Sequence, residues 1–249
     1  MQFGVCHLNV VPLRLEPRDP SEMVSQVLYG EHFQILKKKE KWSYIRLAHD
    51  SYEGWMDNKQ YILVEEKDYQ KFNETKDYRC TDLVTYAATE NHQLLPLTLG
   101  VSLKAISFFK HEFDGEKITG QRPKWHLVTT ALLYINAPYL WGGRTIFGID
   151  CSGFTQIVYL LNGYKLFRDA SQQATQGETL SFIEESEPGD LAFFDNADGT
   201  IIHVGILLKD HHIIHAHGKV RVDRIDHTGI FNGETKTYSH KLRVLKKII

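Results

Sequence analysis

One cysteine and two histidines of this chain have the types and spacing of a nucleophile with its base. Cys151 lies within 138–161, PYLWGGRTIFGIDCSGFTQIVYLL, where a glycine-rich loop delivers a single thiol to the start of an apolar-periodic segment. A thiol at a helix start meets the positive end of the helix dipole and unpaired backbone N–H groups, which favour the thiolate, the form that attacks carbonyl carbon. The competing reading is a small buried hydrophobe. A cysteine nucleophile needs a base, and the base needs a partner that fixes its tautomer. His203 and His215 are twelve residues apart in two β-branched runs, TIIHVGILL and HHIIHAHG. A hairpin with an odd loop centred on Lys209 sets them directly opposite on one face, whereas a two-residue Lys209-Asp210 turn slips the register by one and turns His215 away.

Among thirteen histidines, no single one is informative by itself. His211, His212, His215 and His217 invite a metal reading, with His203 and Cys151 as further ligands, but no CxxC or HExxH accompanies them. The expectation is no metal and no cofactor.

The elements that must position these groups follow from periodicity. Phe154, Ile157, Val158 and Leu161 fall at i, i+3, i+4 and i+7, so a helix runs from Cys151 to a stop at Gly163. Leu127, Ala131, Leu132 and Ile135 announce an earlier helix that ends before Pro138. RDASQQATQG reads as a short helix with Asp169 as N-cap, Gln172 three residues on and Gly177 at its close. LAFFD, the two histidine-bearing runs and KVRVDRI are strands. The expected arrangement is an α+β domain over 123–249, with the cysteine helix packed on an antiparallel sheet.

Upstream, 1–65 reads as short strands broken by turns: VSQVLYG, EHFQILKK, KWSYIRL and YEGWMD. This is a small β-barrel, with Trp42 and Trp55 expected in its core. Residues 66–122 read as a charged connection, Glu65 to Asp77, followed by a diverged second barrel.

A net charge of −2 gives no excess of basic residues for nucleic acid, and no apolar run reaches the ~20 residues of a membrane span. Three cysteines without paired spacing fit a reducing compartment, and the N-terminus lacks the pattern of a secretion signal. A cytoplasmic location is the expectation, with neither nucleic acid nor membrane as partner.

The barrel segment resembles bacterial SH3 (SH3b) domains through SEMVSQVLYGE, the Trp42 strand and Glu53-Gly54-Trp55. From Trp125 onward the chain resembles the NlpC/P60 family of papain-like cysteine peptidases through PYLWGG, IDCSGF, RDASQQA, PGDLAFF, HVGI and IIHAHG. That resemblance implies Cys151 as nucleophile, His203 as general base, His215 as its orienting partner and Tyr139 at the oxyanion site. It implies hydrolysis of the γ-D-glutamyl–diamino acid bond of murein peptides. The subgroup with SH3b domains and no secretion signal further implies a substrate with a free N-terminal L-alanine, in peptidoglycan recycling. Asp169 matches the position that meets that ammonium. Glu22 and Tyr52 of the barrel match those closing the substrate end of the cleft, and Trp141, Asp150 and Ser152 flank the site by motif. The departure is Phe167, where proline frequently precedes the RD pair. A wall-binding protein with an inactive papain-like domain, or an amidase or acyl transferase on the same fold, are the alternative readings.

Overall fold

The computed structural model describes all 249 residues, which divide into two compact units, Met1–Gly120 and Gln121–Ile249. In the first unit, strands β1 (Gln2–Val5), β2 (Val10–Arg14), β3 (Met23–Leu28), β4 (His32–Lys38), β5 (Trp42–Leu47), β6 (Glu53–Asp57) and β7 (Ile62–Val64) form one antiparallel sheet. Its order is β3-β2-β6-β5-β4-β1-β7. Period-two alternation sends Val11, Leu13, Val27, Phe33, Ile35, Ile45, Leu47 and Met56 into one core. Trp42 and Trp55 are not in it. They take the other phase of their strands and lie half-buried on the outer face, where Trp55 meets Tyr44 and the Lys39 ammonium.

Residues 66–120 fold onto this sheet, and the boundary expected near residue 65 lies inside one compact unit. The charged connection is a helix, α1 (Glu66–Glu74), because Tyr69 and Phe72, three apart, give it a buried face. Phe72 packs with Val5 and Ala105, and Asn73 bonds His32. Where a second barrel was expected, β8 (Arg79–Cys80) pairs only with β11 (Lys117–Ile118), and β9 (Val84–Ala88) only with β10 (Leu94–Thr98). Isolated bridges, Arg79 to Ser102 and Ala88 to Glu112, tie these ladders down. The segment is short of the apolar alternation that a closed barrel needs: Leu83, Val84, Tyr86 and Leu94 are exposed.

The second unit begins with α2 (Trp125–Leu132), which buries Leu127, Thr130 and Ala131 but leaves Leu132 and Ile135 exposed. A small hairpin, β12 (Arg144–Thr145) with β13 (Gly148–Ile149), leads to α3 (Cys151–Leu161), whose expected apolar stripe is fully buried. α4 (Ala170–Gln173) and β14 (Glu178–Leu180) follow. Six strands then close on themselves: β15 (Leu191–Asp195), β16 (Ile201–Leu207), β17 (His212–His217), β18 (Lys219–Ile225), β19 (Gly229–Asn232) and β20 (Thr237–Lys247). β20 completes the ring by pairing with both β15 and β19, and β14 adds to its outer edge. A closed barrel removes the free strand edges and gives α3 a rigid platform.

The hairpin β16–β17 has a loop centred on Asp210, not Lys209. Gly205 pairs with His215 and Ile206 with Ile214, while Asp210 and His211 carry positive φ. His203 and His215 therefore share a face as expected, but stand diagonally, offset by two residues, instead of directly opposite. Gly205 makes this work, since a Cβ there would stand 2.9 Å from the His215 Cβ.

The seating of α3 rests on a second glycine. A Cβ on Gly153 would lie 2.3 Å from the Gly143 carbonyl oxygen and 3.0 Å from Asp150 Oδ1. Gly153→Val should cost about 1–3 kcal/mol through overpacking, read as a lowered Tm and weakened turnover; an unchanged melting profile would mean that the loop yields freely.

Candidate active site

The site is built outward from the first turn of α3. Asp150, not Cys151, is the N-cap, with its Oδ1 accepting from the Gly153 N–H at 2.6 Å. Its Oδ2 accepts from the Gly142 N–H at 2.8 Å, which clamps the glycine loop to the helix start. Arg168 reaches both oxygens, at 3.0 and 2.6 Å, and also donates to Ser152 Oγ at 3.0 Å. All three residues are buried. Asp150 and Ser152, expected to flank the substrate, thus turn inward and brace Cys151 from below.

Cys151 is the first helical residue and only 6% exposed. Its Sγ lies 4.0 Å from the Ile202 carbonyl oxygen, against the strand segment that carries His203. Backbone N–H groups of Val204 and Ser152 and the charge of Arg168 favour its thiolate, but burial and the Asp150 carboxylate dominate and push the thiol up to about 12. The sequence leads one to expect a depressed thiol; burial reverses the sign.

The base is held by a file of side chains running diagonally across three strands. His203 Nε2 meets His215 Nδ1 at 2.8 Å, and His215 Nε2 meets Asp223 Oδ2 at 3.0 Å. Asp223 in turn accepts from Arg221 NH2 at Oδ1, 3.0 Å, and its Oδ2 forms an ion pair with Arg221 Nε at 2.7 Å. This order fixes the protons. A carboxylate only accepts, so His215 carries its proton on Nε2 and presents a lone pair at Nδ1. His203 must then donate from Nε2, and its Nδ1 is left as a lone pair that accepts the thiol proton. Burial above all, then the neighbouring His215, His240 and His217, holds His203 well below the ordinary imidazole range. Burial also lowers His215, with the Asp223 bond and charge opposing it. Burial opposes the charge on Asp223, yet His215 and Arg221 outweigh it and keep the carboxyl below its usual range. The resting pair is a thiol beside a neutral imidazole.

Asp223 and Arg221 escape the sequence reading, although KVRVDRI reads as a strand. Its alternation was the available signal: Asp223 shares a face with buried Ile225, an inward carboxylate that requires a partner.

Of the other expected site residues, Tyr139 has its hydroxyl raised to about 12 by burial first, then by Cys151 and Asp150, which sets it in the field of the nucleophile. Trp141 is exposed on the glycine loop. Asp169, half-buried, begins α4 as expected, its N–H donating to Gln172 Oε1 at 3.3 Å. α4 is pinned to the cysteine helix by Gln173, whose Nε2 donates to the Ser152 carbonyl at 2.9 Å and whose Oε1 accepts from Thr155 at 2.7 Å. Glu22 and Tyr52 belong to the first unit. Glu22 is exposed just before β3, and Tyr52 is partly buried against the barrel core with its N–H on Asp50 Oδ1 at 2.9 Å.

This geometry supports acyl transfer. With a carbonyl bound against Cys151, such an arrangement could let His203 Nδ1 take the thiol proton as Sγ attacks, let the Cys151 N–H and the Tyr139 hydroxyl donate to the oxyanion, and let His203 return the proton to the leaving amine. Water then releases the acyl group by the reverse proton path.

Comparison with known proteins agrees. Residues 136–240 match the NlpC/P60 family and residues 13–60 match the bacterial dipeptidyl-peptidase Sh3 domain. Dipeptidyl-peptidase 6 of Lysinibacillus sphaericus is 28% identical, the match covering 86% of this chain and 88% of that protein. Gamma-D-glutamyl-L-lysine dipeptidyl-peptidase of Bacillus subtilis is also 28% identical, over 86% of this chain and 75% of its own. In fold, an NlpC/P60 family protein from Bacillus cereus superposes with a TM-score of 0.78 at 18% identity, covering 99% of both chains. The chain carries an NlpC/P60 domain preceded by a bacterial SH3-type domain.

Two expectations follow from the site. Iodoacetamide should inactivate the free protein at a rate that climbs into the alkaline range, because the resting thiol is neutral; a plateau reached near pH 6 would instead indicate a preformed thiolate–imidazolium pair. Asp223→Asn should lower kcat with KM little changed, on the order of ten- to a hundredfold as for other orienting carboxylates, and should shift the acidic limb of the pH profile, while Asp223→Glu restores part of the rate. A KM effect alone would make Asp223 merely structural.

Proposed function

We propose that this protein is a cysteine endopeptidase that hydrolyses the γ-D-glutamyl–diamino acid bond of murein-derived peptides whose N-terminal L-alanine is free. The observation that carries the reading is the hydrogen-bonded file from Asp223 through His215 to His203, on a strand whose Ile202 carbonyl lies 4.0 Å from Cys151 Sγ at the start of α3. The names of the relatives in Lysinibacillus and Bacillus, which include gamma-D-glutamyl-L-lysine dipeptidyl-peptidase, support the bond class. Intact Cys151, His203 and His215 count against an inactive wall-binding module.

Selectivity for a free amino terminus rests on Asp169. An ammonium entering a closed site loses water and needs an anionic partner to offset the loss. Asp169 stands at the head of a helix bonded to the first turn of α3, which supports a role for its carboxylate near the nucleophile as well as in the cap. Intact wall, in which the L-alanine nitrogen is an amide, offers no such cation. A role in recycling of released wall peptides, in the cytoplasm, completes the proposal; no helix is long and apolar enough to cross a membrane.

The free tripeptide L-Ala-γ-D-Glu-diaminopimelate, its N-acetylated form and whole sacculi are the discriminating substrates, with products read by mass. Wild type should cleave only the free peptide and leave L-Ala-γ-D-Glu. Acetylation should reduce kcat/KM by on the order of a hundredfold, since a lost charge-assisted hydrogen bond of ~1.5–3 kcal/mol adds to a carboxylate left unpaired. Cys151→Ala should be inactive with an unchanged Tm. Equal cleavage of free and acetylated peptide removes the recycling role, and a turning-over Cys151→Ala removes the peptidase.

A further inference from the structure

His240 takes no part in the proton file, yet it stands inside it. It comes from β20, the strand that closes the barrel, and its ring lies 4.0 Å from that of His203, nearly parallel at 20°. One ring nitrogen each from His203, His215 and His240 falls within 4.8 Å of the other two. Two of these, His203 Nε2 and His215 Nδ1, are already 2.8 Å apart. In a tetrahedral zinc site, with Zn–N near 2.0–2.1 Å, neighbouring nitrogens are about 3.3–3.4 Å apart. Rotation of the rings spans the difference, with His240, half-buried where His203 and His215 are buried, turning out of its stack.

The surroundings are those of a ligand shell. Asp223 accepts from His215 Nε2 and so fixes Nδ1 as the donor atom, the carboxylate–histidine pairing that orients metal ligands. Ser239 Oγ, 2.9 Å from His240 Nδ1, leaves Nε2 of that ring for a metal. Three neutral imidazoles with a fourth position open suit zinc.

We propose that His203, His215 and His240 form a binding site for a divalent transition-metal ion, zinc above all, whose occupation turns the enzyme off. The inhibitory step follows from the tautomer. A metal on His203 Nε2 displaces the proton held there, and the neutral ring then carries it on Nδ1, the atom that has to accept the Cys151 proton. The His203–His215 bond is broken in the same event. Catalysis needs no metal on this view; chelator-treated protein is the active form, and the peptide it acts on never touches the ion.

The test uses the reduced, chelator-treated full chain and Zn2+ alone, with affinity measured by calorimetry and the ligand set read from Co2+ absorption. Wild type should bind one ion saturably, and Co2+ should give a tetrahedral d–d spectrum with no sulfur-to-metal charge-transfer band. His240→Phe, which keeps a stacking ring, and His240→Gln should each weaken zinc by about tenfold or more while retaining turnover without metal. Murein-peptide hydrolysis by wild type should fall along the same zinc titration and return on adding EDTA. Failure of the peptidase reading would silence only this last readout, since binding is measured directly. Equal zinc affinity in both His240 variants, a sulfur band, or no saturable binding overturns the proposal.

Discussion

A single buried carboxylate decides where the nucleophile stands. Asp150 accepts from the Gly142 and Gly153 N–H groups, from both Arg168 nitrogens and from Ser152 Oγ, so every lone pair has a donor although the group is almost out of water. The glycine loop, the head of α3 and Arg168, just before the α4 cap, converge on it. Breaking such a pair from one side leaves an uncompensated charge in a low dielectric, at about 3–5 kcal/mol, whereas the intact pair adds little net stability. Its worth is positional. The helix begins at Cys151, and not a residue earlier or later, because the cap accepts from N3 and the loop is tied to the same two oxygens.

Position alone leaves the thiol inert, and its electrostatics explain why the histidine file has to be so long. Burial penalises both charged forms, thiolate and imidazolium, and the Asp150 charge adds to the penalty on sulfur. Proton transfer between Cys151 and His203 is then favourable only when the new charges are met by fixed dipoles: the first N–H groups of α3 on one side, His215 backed by Asp223 on the other. Arg221 keeps Asp223 ionised, and ionised Asp223 keeps the His215 lone pair turned to His203. A neutral resting pair also spares the thiol from general electrophiles until a carbonyl is in place.

Much of this was legible in the sequence because it rests on local patterns. The stripe at 154, 157, 158 and 161, the Asp169 cap and the four strands from Leu191 to Ile225 are where periodicity and turn chemistry put them. What was not legible is set by long-range pairing. The β16–β17 hairpin is shifted by two residues from the expected register, with Asp210 and His211 at positive φ, which Asp and His tolerate but do not require. Trp42 and Trp55, expected in the core, lie outside it because strand phase turns them to the other face. α1 is hidden in sequence because only Tyr69 and Phe72 mark its buried face among nine mostly charged residues.

The least legible part is β20, and it carries the most consequence for chemistry. Its eleven residues hold four lysines or arginines and bury little, so neither apolar alternation nor a turn signal sets it apart, and it earns its place by pairing with β14, β15 and β19. Closing the ring brings His240 over the ring of a base from which it is thirty-seven positions distant in sequence. A strand that pairs through its edges thus completes a cluster of imidazoles around His203. Proton and metal compete for the same lone pairs there, and the orientation that Asp223 imposes serves both. A base made reliable by a fixed tautomer is for the same reason exposed to any ion that can hold the other tautomer.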